Sequence, residues 1–123
     1  MPALISASPI TSESQIEPAE IAARPIRERL VETIEQLASI GAKPDGSVCR
    51  RGFSPEDVQG RDLLAHWMKQ LGMQVRVDAA GNLIGRLEGL DPHRPVLVTG
   101  LHLDTVPTGG RFDGALGVLA GLE

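Results

Sequence analysis

The sequence has no tyrosine and only three aromatic residues, Phe53, Trp67 and Phe112. Proteins that bind single-stranded nucleic acid stack bases on aromatic side chains, and this chain offers almost no such platform. Basic runs are also missing: 12 Lys and Arg against 16 Asp and Glu give a net charge of −4, so no stretch can neutralise several phosphates. One cysteine, Cys49, rules out an internal disulfide and fits a reducing, cytoplasmic setting. No segment approaches the roughly 18 consecutive apolar residues of a membrane span. The opening MPALISASPITSESQ carries no Lys or Arg ahead of its short apolar pieces, unlike a signal or transit peptide. Nucleic acid and membranes are therefore not expected partners; a small molecule is.

What is present supports a folded α/β unit. Leu, Ile, Val and Phe make up 34 of the 123 residues, above the fraction of about 20% below which chains tend to stay disordered. Residues 1–17 mix Ser, Pro, Thr and acids without periodicity and read as a solvated tail, leaving 18–123 as the folded part. Ile26, Leu30, Ile34 and Leu37 follow helical spacing, with Pro25 in the first turn and Gly41 at the stop. Ser54 caps a second helix, with Pro55 at N1, Asp57 at N3, an apolar stripe through Val58, Leu64 or Ala65, Trp67 or Met68 and Leu71, and Gly72 after it. The period then changes to two. Met73, Val75 and Val77 alternate with polar residues, and Leu83 to Leu87 does likewise across the turn Asp78-Ala79-Ala80-Gly81-Asn82, which predicts an antiparallel hairpin. Pro95-Val96-Leu97-Val98-Thr99 is apolar on both faces, as a central strand covered by helices requires. A third helix begins at Asp113-Gly114, with Leu116, Leu119 and Ala120 on one face.

Chemistry is concentrated after that apolar segment, where six of the 14 glycines fall within the last 24 residues. In open α/β sheets ligands bind at the carboxyl ends of strands, and Gly100-Leu101-His102-Leu103-Asp104-Thr105-Val106-Pro107 follows directly. His102 and Asp104 are two apart, so an extended backbone points both to one side and Leu101 and Leu103 to the other. Asp113 opens the next helix, where the dipole favours a carboxylate. Imidazole with carboxylates suits zinc or manganese. By spacing alone, His102 reads as a structural histidine more readily than as a ligand, and Asp113 equally as a helix N-cap.

The segment GLHLDTVPTGGRFDGALGVLAGLE nonetheless resembles the metal motif of N-carbamoyl-amino-acid and allantoate amidohydrolases, a branch of the aminoacylase and carboxypeptidase G type of metallohydrolases. Arg51-Gly52-Phe53-Ser54-Pro55-Glu56-Asp57, Trp67-Met68 and Asp78 to Arg86 resemble the same branch, so the likeness covers about residues 25–123. It implies a zinc-exopeptidase-like catalytic domain with two divalent ions, zinc or manganese with cobalt or nickel as further options. His102 binds one ion, Asp113 bridges both, and Asp104 belongs to the catalytic set from behind His102. Such a centre activates water for attack on a ureido or amide carbonyl. The family's general base is a glutamate of a downstream Glu-Glu pair, which Glu123 does not match, and Leu101 stands where the family usually has Ser. The runner-up reading is an aminoacylase or dipeptidase; a third is a noncatalytic chain that binds no metal.

Two physical points make the chain read as the front part of a truncated catalytic domain. A strand apolar on both faces needs paired neighbours, and a parallel neighbour needs a crossover helix and another strand. A catalytic zinc has about three protein ligands, and the motif supplies fewer. The expectation is little activity from this chain alone, with the lid and dimerisation domain of a homodimeric enzyme absent. Elsewhere, His66 reads as an exposed helical residue and His93 as a loop residue. Cys49 beside Arg50 and Arg51 lacks a histidine base, and Arg111 solvates its loop in preference to meeting an anionic substrate.

Overall fold

A computed structural model describes residues 26–123; Pro25, the tail over 1–17 and the boundary at 18 lie outside the described residues. The order is α1 (Arg27–Ser39), α2 (Pro55–Gln70), β1 (Gln74–Val77), β2 (Leu83–Arg86) and α3 (Ala115–Leu122). Among the described residues no helix is long and apolar enough to cross a membrane.

Helix α1 buries Ile34 and Leu37 of its predicted stripe, with Leu30 packed beside them, whereas Ile26 is the exposed N-cap. Gly41 follows the C-cap with φ +85°, a conformation that ends helices at little cost only with glycine. Helix α2 starts as its sequence dictates: the Ser54 side chain accepts from the Asp57 amide at 3.3 Å, and Asp57 returns a carboxylate oxygen to the Phe53 amide at 2.9 Å. Its buried face differs from the predicted stripe. Val58 and Leu71 are exposed, and Asp57, Gly60, Leu64 and Met68 are buried. Apolar spacing misplaces this face because a capping carboxylate and a glycine occupy its N-terminal half.

The hairpin forms as expected, antiparallel with Val75 opposite Gly85 and Val77 opposite Leu83. Asp78 holds its loop by accepting from the Ala80 and Asn82 amides and the Asn82 side chain. The sheet lies on α2 so closely that a Cβ on Gly85 would stand 2.8 Å from the Met68 sulfur.

The predicted central strand is corrected. Residues 95–99 have no ladder partner among the described residues, the only sheet there is β1–β2, and Val96, Leu97 and Val98 are exposed. Helices α1 and α2 do not cover this segment; its end runs along α3 instead. The predicted face of α3 also shifts. Ala115 and Leu119 are buried, with Val118 and Leu122 packed alongside, while Leu116 and Ala120 are exposed. One core unites the molecule: Ile34, Leu37, Leu64, Met68, Ala115 and Leu119, joined by Val75 and Leu83 from the hairpin and by Leu103.

Candidate metal centre

The segment after Gly100 alternates as an extended chain should. His102 and Asp104 are exposed, Leu103 packs into the core and Thr105 is buried. The core thus grips the inward residues and leaves an imidazole and a carboxylate on the outer face. His102 Nδ1 lies 3.0 Å from the Asp104 backbone carbonyl. A carbonyl oxygen can only accept, so Nδ1 is the donor in this contact, and in a neutral imidazole Nε2 is then the nitrogen with the free lone pair. Nε2 faces Asp113 Oδ1 at 3.6 Å. The Asp104 carboxylate is 3.8 Å from Nδ1, on the protonated side of the ring, so the atom orienting His102 is the backbone oxygen of Asp104.

Asp113 does not cap α3. The N-cap is Gly114, which makes no side-chain cap bond, and the Asp113 carboxylate remains about two-thirds exposed beside His102. A sharp turn aims it there. Gly114 has φ +70° and ψ −54°, and the Ala115 amide donates to the Asp113 carbonyl at 2.8 Å, the geometry of a positive-φ γ-turn. A Cβ on Gly114 would stand 2.3 Å from the His102 carbonyl oxygen and 2.6 Å from its ring.

The terminal glycines have a common purpose. Gly114 meets His102, a Cβ on Gly117 would be 3.1 Å from Leu101, and one on Gly121 would be 2.8 Å from Thr99. Spaced at three and four residues, they form a bare face on α3 along which the chain from Thr99 to His102 lies directly.

Two buried polar residues that the sequence did not single out hold this segment from below. Thr105 Oγ1 accepts from the Arg50 amide at 2.8 Å and donates to the Val48 carbonyl at 3.1 Å, and the Thr105 amide donates to the Arg50 carbonyl at 2.7 Å. Arg50 is 2% exposed and donates to the carbonyls of Leu103, Leu37 and Ile40. Burial lowers its pKa, opposed by Asp57 and Asp104. Inward alternation marks Thr105 in the sequence, but nothing local marks Arg50. Gly52, of the upstream loop, also approaches the site, its Cβ position 3.7 Å from Asp104 Oδ2.

Of the remaining residues, His66 is exposed on α2 and the His93 amide donates to Asp91 in a loop. Arg111 neither solvates its loop nor stands free for a substrate: it donates to both carboxylate oxygens of Glu35 on α1, at 2.5 and 2.7 Å. The guanidinium of Arg50 points inward to carbonyls. Surface depressions beside the hairpin and around Cys49 are not lined by His102, Asp104 or Asp113.

The donors suit a borderline divalent ion. Two atoms each about 2.0–2.2 Å from one zinc ion stand roughly 3.4 Å apart at the tetrahedral angle, close to the 3.6 Å between Nε2 and Oδ1. Among the described residues no group of three or more His, Cys, Asp or Glu side chains is assembled to hold a metal; His102 and Asp113 stand as a pair.

No family model matches the chain. It is 49% identical over 96 residues to an N-carbamoyl-L-amino acid amidohydrolase of Geobacillus stearothermophilus, covering 78% of this chain and 24% of that protein. It is 39% identical over 97 residues to an allantoate amidohydrolase of Bacillus subtilis, covering 79% and 24%. The crystal structure of a hydantoinase/carbamoylase family amidase from Burkholderia ambifaria superimposes with a TM-score of 0.76 at 50% identity, over 78% of this chain and 24% of that one. The chain thus spans about 24% of the length of these relatives.

Proposed function

Because the chain is related over about 78% of its length to carbamoylase-type amidohydrolases, we propose that His102 and Asp113 are ligands of a divalent metal centre for hydrolysis of a linear C–N bond, with an N-carbamoyl-L-amino acid or allantoate as substrate. The observation that carries this reading is the approach of His102 Nε2 to Asp113 Oδ1 at 3.6 Å, while Nδ1 is engaged by the Asp104 carbonyl. A histidine fixed in one tautomer by a partner on its other nitrogen is the usual state of a metal-ligating imidazole.

Zinc or manganese held there would supply Lewis acidity toward a carbonyl oxygen and toward water. His102 would contribute a nitrogen donor through Nε2, and Asp113, free of capping duty, would contribute carboxylate oxygens and negative charge. Asp104 acts through His102, fixing its tautomer with the backbone oxygen and adding negative charge on the protonated side. Two side-chain ligands fall short of the roughly three of a catalytic zinc, so the chain by itself hydrolyses these substrates at no measurable rate. The complete enzyme is read as a cytoplasmic homodimer; the single cysteine agrees with the compartment.

Titration calorimetry with zinc and manganese tests the ligand assignment. His102→Ala and Asp113→Ala each weaken binding by more than about tenfold, and in a longer protein containing this chain each abolishes hydrolysis of N-carbamoyl amino acids and allantoate. Retention of both metal and activity in the two variants would show the reading to be wrong.

A further inference from the structure

Arg50 is the one charged side chain among the described residues to lie at 2% exposure, and no ion pair found there includes it. A buried guanidinium is costly unless its donors find partners, and here Nε and Nη1 bond to main-chain oxygens from two parts of the fold. Nη1 donates to Leu37 and Ile40 at 3.0 and 3.1 Å, closing the end of α1, and Nε donates to Leu103 at 3.0 Å. Leu103 is the residue between His102 and Asp104. The Arg50 main chain adds two bonds to Thr105, so a single residue ties 103–105 to the core through side chain and backbone. Room for its stem comes from α2, where a Cβ on Gly60 would stand 2.8 Å from Arg50 Cδ.

We infer that Arg50 is a positioning residue for the metal pair: its rigid fork fixes the Leu103 carbonyl relative to the end of α1, and so sets the height at which His102 meets the Asp104 carbonyl and Asp113. Closing the end of a helix needs no guanidinium, because water, a turn or a glycine satisfies such carbonyls elsewhere. What a planar donor set adds is a fixed spacing between two carbonyls on different elements. The consequence for metal binding rests on the reading of His102 and Asp113 as ligands; the consequence for the His102 tautomer does not.

The test compares the 123-residue chain with its Arg50→Met, Arg50→Lys and Gly60→Ala variants. Three readouts are taken: thermal melting, calorimetric affinity for zinc chloride, and the His102 tautomer from long-range ¹H–¹⁵N spectra of the metal-free chain. The expected result is a folded Arg50→Met chain with zinc affinity reduced by about 10- to 100-fold and a His102 signal averaged between tautomers. Arg50→Lys restores melting but not the Nδ1–H signature, since one ammonium cannot span both acceptors. Gly60→Ala, which displaces the stem without removing the charge, moves the His102 signal in the same direction. If Arg50→Met fails to fold, the other two variants decide. Folded variants with wild-type zinc affinity and an unchanged His102 tautomer overturn the proposal, and so does unfolding of all three. Should the wild-type chain bind no zinc, the metal reading fails, while the tautomer of the metal-free chain still decides the role of Arg50.

Discussion

At the scale of single residues, the site depends on a contact too short for any side chain but hydrogen. The γ-turn at Gly114 reverses the chain so that Asp113 faces His102, and the His102 ring rests against the glycine. Gly114→Ala is therefore expected to destabilise the chain by at least about 1–3 kcal/mol, the usual cost of a strained backbone conformation, and to weaken zinc binding as well. Thermal melting and zinc titration of that variant check both effects; wild-type values in both would show that the turn is not needed. The sequence made half of this legible. Alternation along an extended chain puts His102 and Asp104 on one side, as found. It could not choose between cap and ligand for Asp113, because the choice depends on whether the first helical turn bonds to that carboxylate or, as here, leaves it to solvent and His102.

At the scale of elements, α3 shows why simple amphipathic counting fails. An eight-residue helix here has three faces: Ala115, Val118, Leu119 and Leu122 toward the core, glycines toward the segment bearing His102, and Leu116 with Ala120 toward solvent. Hydrophobicity distinguishes the first from a polar face, not from two others that are small or apolar. The segment 95–99 raises the opposite issue. Its composition is that of a buried strand, yet Val96, Leu97 and Val98 are 69, 94 and 83% exposed. An unpaired apolar segment of this kind is a template for pairing with another chain. The isolated chain is expected to self-associate with rising concentration, and Val96→Lys combined with Val98→Lys to suppress this without lowering the melting temperature. Light scattering and thermal melting check the two parts; undiminished association would place the sticky surface elsewhere.

At the scale of the whole molecule, the first and last described elements are tied together. Glu123 accepts from the Ile26 amide at 2.8 Å and from Arg29 Nε and Nη2 at 2.8 and 2.6 Å, joining the end of α3 to the start of α1. The Arg29 hydrogen bonds, then that of the Ile26 amide, hold its carboxyl below the usual range. A carboxyl with a depressed folded pKa stabilises the fold above its unfolded value, about 4.3 for Glu, and loses that contribution as pH falls through the folded value. Wild type should therefore melt above Glu123→Gln at pH 7, with the difference shrinking below about pH 4.3. An equal difference at pH 7 and pH 3 would mean that the ionised tie contributes nothing.

What the sequence determined by itself is local. Helix starts and stops at Ser54, Gly41 and Gly72, the hairpin turn at Asp78 to Asn82 and the sidedness of His102 and Asp104 all follow from residues within a few positions of one another. The tertiary structure alone decided that Asp113 turns its carboxylate to His102, that residues 95–99 stay unpaired, that Arg111 pairs with Glu35, and that Arg50 grips Leu103 from 53 positions away. The reason is physical. Caps, turns and alternation are fixed by backbone geometry over one or two turns of chain, whereas the partner of a buried guanidinium or an exposed carboxylate is set by which distant segments the core brings together.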